Sequence, residues 1–158
     1  MRVTLTWNEA AMAADVGRRR QLESLRSGLR DKHGYEGDGW GNHIEGALGE
    51  MALAKHFGVY WDGSINTFKA TDLPGLQVRT RSRPTYELII RKDDSPDERF
   101  VLITGRCPNY TIRGWIIGRD GMQEQWLAAH GGRAPAYFVP HSALRPISEL
   151  FPSETRVL

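Results

Sequence analysis

With one cysteine in 158 residues, Cys107, the chain cannot close an intramolecular disulfide. No second cysteine or suitably spaced histidine completes a zinc pattern around it, so a reducing cytoplasm is the expected compartment. No stretch approaches the roughly 20 apolar residues that span a bilayer, and Met1 to Ala10 has no apolar core of signal-peptide length. Neither export by such a signal nor membrane insertion is expected. Internal repeats and low-complexity segments are also missing. The net charge is only +2, so composition alone does not announce a nucleic-acid binder. A chain of this length buries enough apolar surface to fold without staples, which predicts a single domain over 1–158.

What is present begins with Thr6-Trp7-Asn8-Glu9. A threonine three residues before a glutamate is a capping box, so a helix is predicted over about 7–30. Met12, Val16, Leu22, Leu25 and Leu29 recur near helical spacing and are the stripe expected to face the core. Four glycines punctuate Asp31 to Asn42, predicting a loop over about 31–42. Its GDGWG piece lacks the preceding strand and a third glycine at the fixed spacing of a dinucleotide fingerprint, and its acids do not alternate as in an EF-hand. A second helix is predicted from His43 to Phe57. Strands follow at Leu76–Ser82, Tyr86–Arg91, Phe100–Thr104, Thr111–Ile117 and Ala136–Val139, with a further strand and turn over Val59–Phe68 and a short helix near Gln123–Ala129. Connections this short predict a sheet that is mostly antiparallel.

On a helical wheel Ala47, Met51, Leu53, Ala54 and Phe57 share one broad face of the second helix, with Ile44 and Leu48 at its edge. Glu50 falls inside that face. Glu45 lies among Gly49, Ala52 and His56 on the more polar side, where an acid needs no explanation. An unpaired buried carboxylate costs several kcal/mol or takes up a proton, so Glu50 calls for a metal ion, a buried arginine or the rim of a cleft. On the strand that follows, Gln77, Arg79 and Arg81 point one way, while Leu76, Val78 and Thr80 point the other and should meet the core. Asp72 precedes that strand across Leu73-Pro74-Gly75 and comes near Gln77 if the chain turns there; such an aspartate also serves simply as a turn residue. Arginines cluster at Arg18, Arg19 and Arg20 and again at Arg79, Arg81 and Arg83, either as basic patches or as solvated faces.

An acid on a helix, an aspartate before a strand, and then Gln77-Val78-Arg79 on that strand resemble the PD-(D/E)XK nuclease pattern. The segments HIEGALGEMALAKHFGVYWDGSINTF, DLPGLQVRTRS, LIIRKDD, FVLITG, IRGWIIG and AYFVPHSALRPI are similar to small bacteriophage proteins of that superfamily. The resemblance implies an α/β (α+β), restriction-endonuclease-like fold, with a mixed, largely antiparallel central sheet flanked by helices. It further implies a Mg2+- (or Mn2+-) dependent DNA phosphodiesterase acting in the host cytoplasm. Glu50, Asp72 and Gln77 would hold the metal, Arg79 would meet the scissile phosphate, and Arg79, Arg81 and Arg83 would follow the DNA backbone. Hard oxygen ligands suit Mg2+, which neutralises phosphate and activates water. Two positions depart from the pattern. Gln77 replaces the usual acid and removes a charge from the metal cage, and Arg79 replaces the usual lysine and cannot act as a base. The alternative is therefore a catalytically inactive nucleic-acid-binding or phage regulatory protein with the same fold.

The remaining polar residues form no recognisable catalytic set. His33, His43, His56, His130 and His141 repeat no zinc spacing, with His43 and His56 flanking the helix of Glu50. Ser82 and Ser142 lack a nucleophile-elbow context. Trp61, Trp115 and Trp126 read as core or cleft-floor aromatics.

Overall fold

The computed structural model describes residues 1–28, 37–65 and 71–150. Leu29, His33, most of the glycine-rich loop and the end of the Val59–Phe68 segment lie outside the described residues. The chain opens with β1 (Arg2–Thr4) and α1 (Trp7–Arg26). Thr6 caps α1 as the capping box requires: its hydroxyl accepts from Glu9 N–H, and the Glu9 side chain accepts from Thr6 N–H. The residues that α1 buries are Ala10, Ala13, Gly17 and Gln21, while Met12, Leu22 and Leu25 are exposed. This corrects the expected large-residue stripe. A Cβ at Gly17 would stand 2.5 Å from Ile44 Cα, so small residues face the second helix because the two backbones nearly touch.

That second helix, α2 (Gly39–Phe57), begins earlier than its glycines suggest. Asp38 caps it by accepting from Trp40 N–H at 3.0 Å, and the predicted loop ends there rather than at Asn42. Gly58, in the left-handed conformation, closes it. Its supposed polar side is also covered. Ala52 and Gly49 are buried, and Glu45 accepts a hydrogen bond from the buried Tyr110 hydroxyl at 3.0 Å. No helix among the described residues is long and apolar enough to cross a membrane.

The strands are β2 (Leu76–Arg81), β3 (Leu88–Arg91), β4 (Arg99–Arg106), β5 (Asn109–Ile117), β6 (Leu127–Ala128) and β7 (Ala136–Val139). They form two sheets, a mixed one in the order β1-β5-β4-β2 and a small antiparallel one in the order β3-β7-β6. The pairing is antiparallel except between β2 and β4, which run parallel. That exception needs no helical crossover, because the chain leaves for the other sheet at β3 and returns. The described part of Val59–Phe68 is not a strand, and a 3-10 turn at Glu124–Trp126 stands where a short helix was expected.

Both faces of the mixed sheet are covered, which explains the nearly unbroken burial of β4. Val101, Ile103, Leu76 and Val78 join Leu48, Ala52 and Leu53 in a core beneath the helices. Phe100, Leu102 and Ile116 join Leu88, Ile90 and Val139 beneath the small sheet. The helices α1 and α2 thus flank one face of the mixed sheet, and the small sheet flanks the other. A bulge in β5 opposite Leu102 and Ile103 shifts the alternation, so that Ile112 and Trp115 both reach the helical side.

Candidate functional site

The mixed sheet ends on one side at β2, which makes this an edge strand next to the helical layer. Leu73 and Leu76 exchange backbone hydrogen bonds of 3.2 and 2.9 Å around Pro74-Gly75. Gly75 has φ 74°, a conformation side chains rarely adopt. This reversal lays Asp72 alongside β2, where its Oδ2 accepts Val78 N–H at 2.7 Å. The carboxylate covers a backbone donor that an edge strand would otherwise expose.

Glu50 is only 5% exposed, and its charge is met by Arg20 of α1. The two guanidinium nitrogens donate to its two oxygens at 2.7 and 3.0 Å, Trp61 Nε1 adds a third bond at 3.0 Å, and Arg20 Nε is held by Ser64 O at 2.9 Å. Burial alone lowers the Arg20 guanidinium, but the bonds and charge of Glu50, with Asp72 and Asp62 beyond, outweigh it and raise it. Asp72 belongs to the same neighbourhood. Burial and then the Glu50 charge push its carboxyl up to about 6, against the pull of Val78 N–H, Arg79 and Arg20.

The candidate residues therefore divide. Glu50 and Asp72 share one electrostatic environment in which the charge of Arg20 acts on both and that of Arg79 acts on Asp72. Gln77, half-buried, and Arg79 occupy the strand face opposite Leu76 and Val78 and are turned toward the small sheet. There Arg79 lies 5.1 Å from the centre of the Phe100 ring and donates to both oxygens of Asp94, at 3.0 and 2.9 Å. Asp94 is itself positioned by Arg91 N–H at 2.7 Å. Among the described residues, no group of three His, Cys, Asp or Glu side chains could hold a metal ion.

Sequence reasoning missed Arg20 and Asp94 as partners. Arg20 could have been found from its position one turn beyond Gly17 on the small-residue face; Asp94, in a turn, carries no periodic signal. Arg18 and Arg19 spend their charge on Asp15.

At the far end of β2, Arg81 and Arg83 lie against Tyr86, at 4.7 and 5.6 Å from its ring centre. Arg81 Nη1 also donates to Glu87 O at 2.7 Å. Burial first, then the neighbouring Arg133 and Arg91, hold the Arg81 guanidinium below its ordinary value, opposed by Tyr86 and Glu87. Arg81 and Arg83 thus share the Tyr86 ring at one end of the strand, with Arg91 and Arg133 near enough to act on the Arg81 charge. His141 contacts Tyr86 O at 2.8 Å, His43 contacts Gln21 Oε1 at 2.7 Å, His56 lies against Phe57, and His130 meets Phe138 edge-on. Burial and then Arg20 hold the His43 imidazole below its usual value. Comparison with known proteins finds no matching family model, no matching curated protein and no matching solved structure.

Proposed function

We propose that the chain binds DNA through the arginine cluster at the end of β2, on a PD-(D/E)XK-like, restriction-endonuclease-like framework whose acids no longer serve hydrolysis. The observation that carries this reading is the two-pronged grip of Arg20 on Glu50. Both oxygens that the resemblance assigns to a metal are engaged by a guanidinium, and Trp61 takes a further lone pair. The remaining ligands fit Mg2+ poorly as well. Gln77 contributes at most a neutral oxygen, and it lies on the face where Arg79 is paired with Asp94 rather than beside Glu50. Internal cations thus supply the compensation that a divalent ion would otherwise give to the buried acids.

Support for DNA as the partner comes from Arg81 and Arg83, which lie together against Tyr86, with Arg91 and Arg133 near enough to act on the Arg81 charge. Arg83 is exposed and extends this cluster outward. The test is a salt titration of duplex and single-stranded oligonucleotide binding. Arg83→Ala should weaken binding on every sequence and reduce the slope of log K against log salt by roughly one. No binding at low salt would defeat the proposal.

A further inference from the structure

The outer side of α1 is not the polar face that a surface helix usually presents. Trp7, Leu22 and Leu25 stand there 73%, 43% and 58% exposed, because the close approach of α2 reserves the opposite side for Ala10, Ala13 and Gly17. At about 100° per residue, Trp7, Ala11, Ala14, Arg18, Leu22 and Leu25 fall within about 80° of one another, a single straight stripe along the helix. Single exposed apolar residues are ordinary on a protein surface, but a line of them running the length of a helix marks an interaction site. We infer that this stripe pairs with the same stripe of a second copy of the chain, the two α1 helices lying antiparallel about a two-fold axis. The inference stands apart from the DNA-binding reading, which uses other arginines.

The order of residues identifies the occupant. The midpoint of α1 falls between Val16 and Gly17. Asp15 and Arg18 are equally far from it on either side, and so are Ala11 and Leu22, and Trp7 and Arg26. A two-fold axis at the midpoint therefore sets acid against base, small against large and aromatic ring against cation, each twice, as a self-complementary contact requires. Within one chain Asp15 serves two arginines, at 2.8 Å from Arg18 and 3.0 Å from Arg19. All three side chains are well exposed, so these bonds are weakly held and exchange readily for those of the partner. Arg18 is the one charge within the stripe, and Asp15 of the second copy supplies a counter-charge where apolar neighbours would otherwise strip its water. An anionic membrane surface offers no such complement, since it would attract Arg18 and Arg19 but press Asp15 against like charge. One helix from each copy makes a small interface, so the association is expected to be micromolar.

The experiment is sedimentation velocity of the full chain from about 1 to about 300 μM, a range that brackets a micromolar equilibrium. The mass should rise toward that of a dimer with concentration, and Leu22→Glu should hold it at the monomer, with circular dichroism confirming the fold. Charge reversal then tests the register. Asp15→Arg sets base against base at both central contacts and Arg18→Asp sets acid against acid, so each variant alone should dimerise about tenfold more weakly than the parent. Mixed in equal amounts, the two variants should pair with each other about as tightly as the parent does with itself, because both central contacts are again acid against base. A parent that stays monomeric at every concentration overturns the inference, as does a dimer that Leu22→Glu leaves intact or a mixture no tighter than its separate components. A monomeric parent that gathers on phosphatidylserine vesicles also overturns it, and assigns the stripe to a membrane surface instead.

Discussion

Replacing Asp72 with Asn should stabilise the protein at pH 8 relative to pH 4. The amide oxygen retains the acceptor for Val78 N–H, while the charge that burial and Glu50 oppose is removed. The sign follows from the direction of the shift. The folded carboxyl lies at about 6 against an ordinary 3.8, so the native state binds the proton more tightly than the unfolded chain. Its contribution to stability is complete below about 4 and is lost as pH rises through about 6. A displacement of this size corresponds to about 3 kcal/mol, and sharing of the burden with Glu50 reduces the expected effect to about 2 kcal/mol. The assay is urea unfolding of both proteins at pH 4 and pH 8, with the quantity of interest being the change in their stability difference. Any cost of the extra amide N–H2 is the same at both pH values and cancels. A difference that does not change with pH, or that favours the aspartate at pH 8, would refute the reasoning and mean that Arg20 and Arg79 neutralise Asp72 fully.

Two further substitutions test the packing around this cluster. Arg20→Met leaves Glu50 buried without its cation and should cost about 3–5 kcal/mol in urea unfolding; Glu50→Gln in the same chain should restore much of the loss. Gly17→Ala drives a methyl into the α2 backbone and should cost about 1–3 kcal/mol, whereas the same change at Gly46, within α2, meets no neighbouring atom.

The parts of the fold that were legible are those governed by local chemistry. Thr6 and Glu9 mark the start of α1, and α2 ends at Phe57 and the last strand spans Ala136–Val139 as expected. Glycine was ambiguous. Gly39 and Gly41 resemble loop residues, yet they form the first turn of α2, where a Cβ at Gly39 would meet the Gln21 amide at 2.7 Å. The same ambiguity hid the true buried stripe of α1, since Ala13 and Gly17 gain their burial from an interhelical approach that no single-helix pattern contains. Glu50 stood out because a charge among apolar residues requires compensation. Its partner was legible only through the small-residue face of α1, since Arg20 follows Gly17 by one turn, and that face is defined by the approach of α2. The division of Gln77 and Arg79 from Glu50 depends on which layer covers each sheet face, and that is decided by β3 and β7, far along the chain.

The most direct test of the account is to incubate the purified protein with labelled single-stranded and double-stranded DNA in Mg2+, in Mn2+ and in chelator, following binding and cleavage together. Salt-sensitive binding that chelator leaves unchanged, with the DNA intact throughout and still intact with Gln77→Glu, is the predicted result. Metal-dependent cleavage that Asp72→Ala abolishes would contradict it, by showing that Arg20 yields Glu50 to a divalent ion.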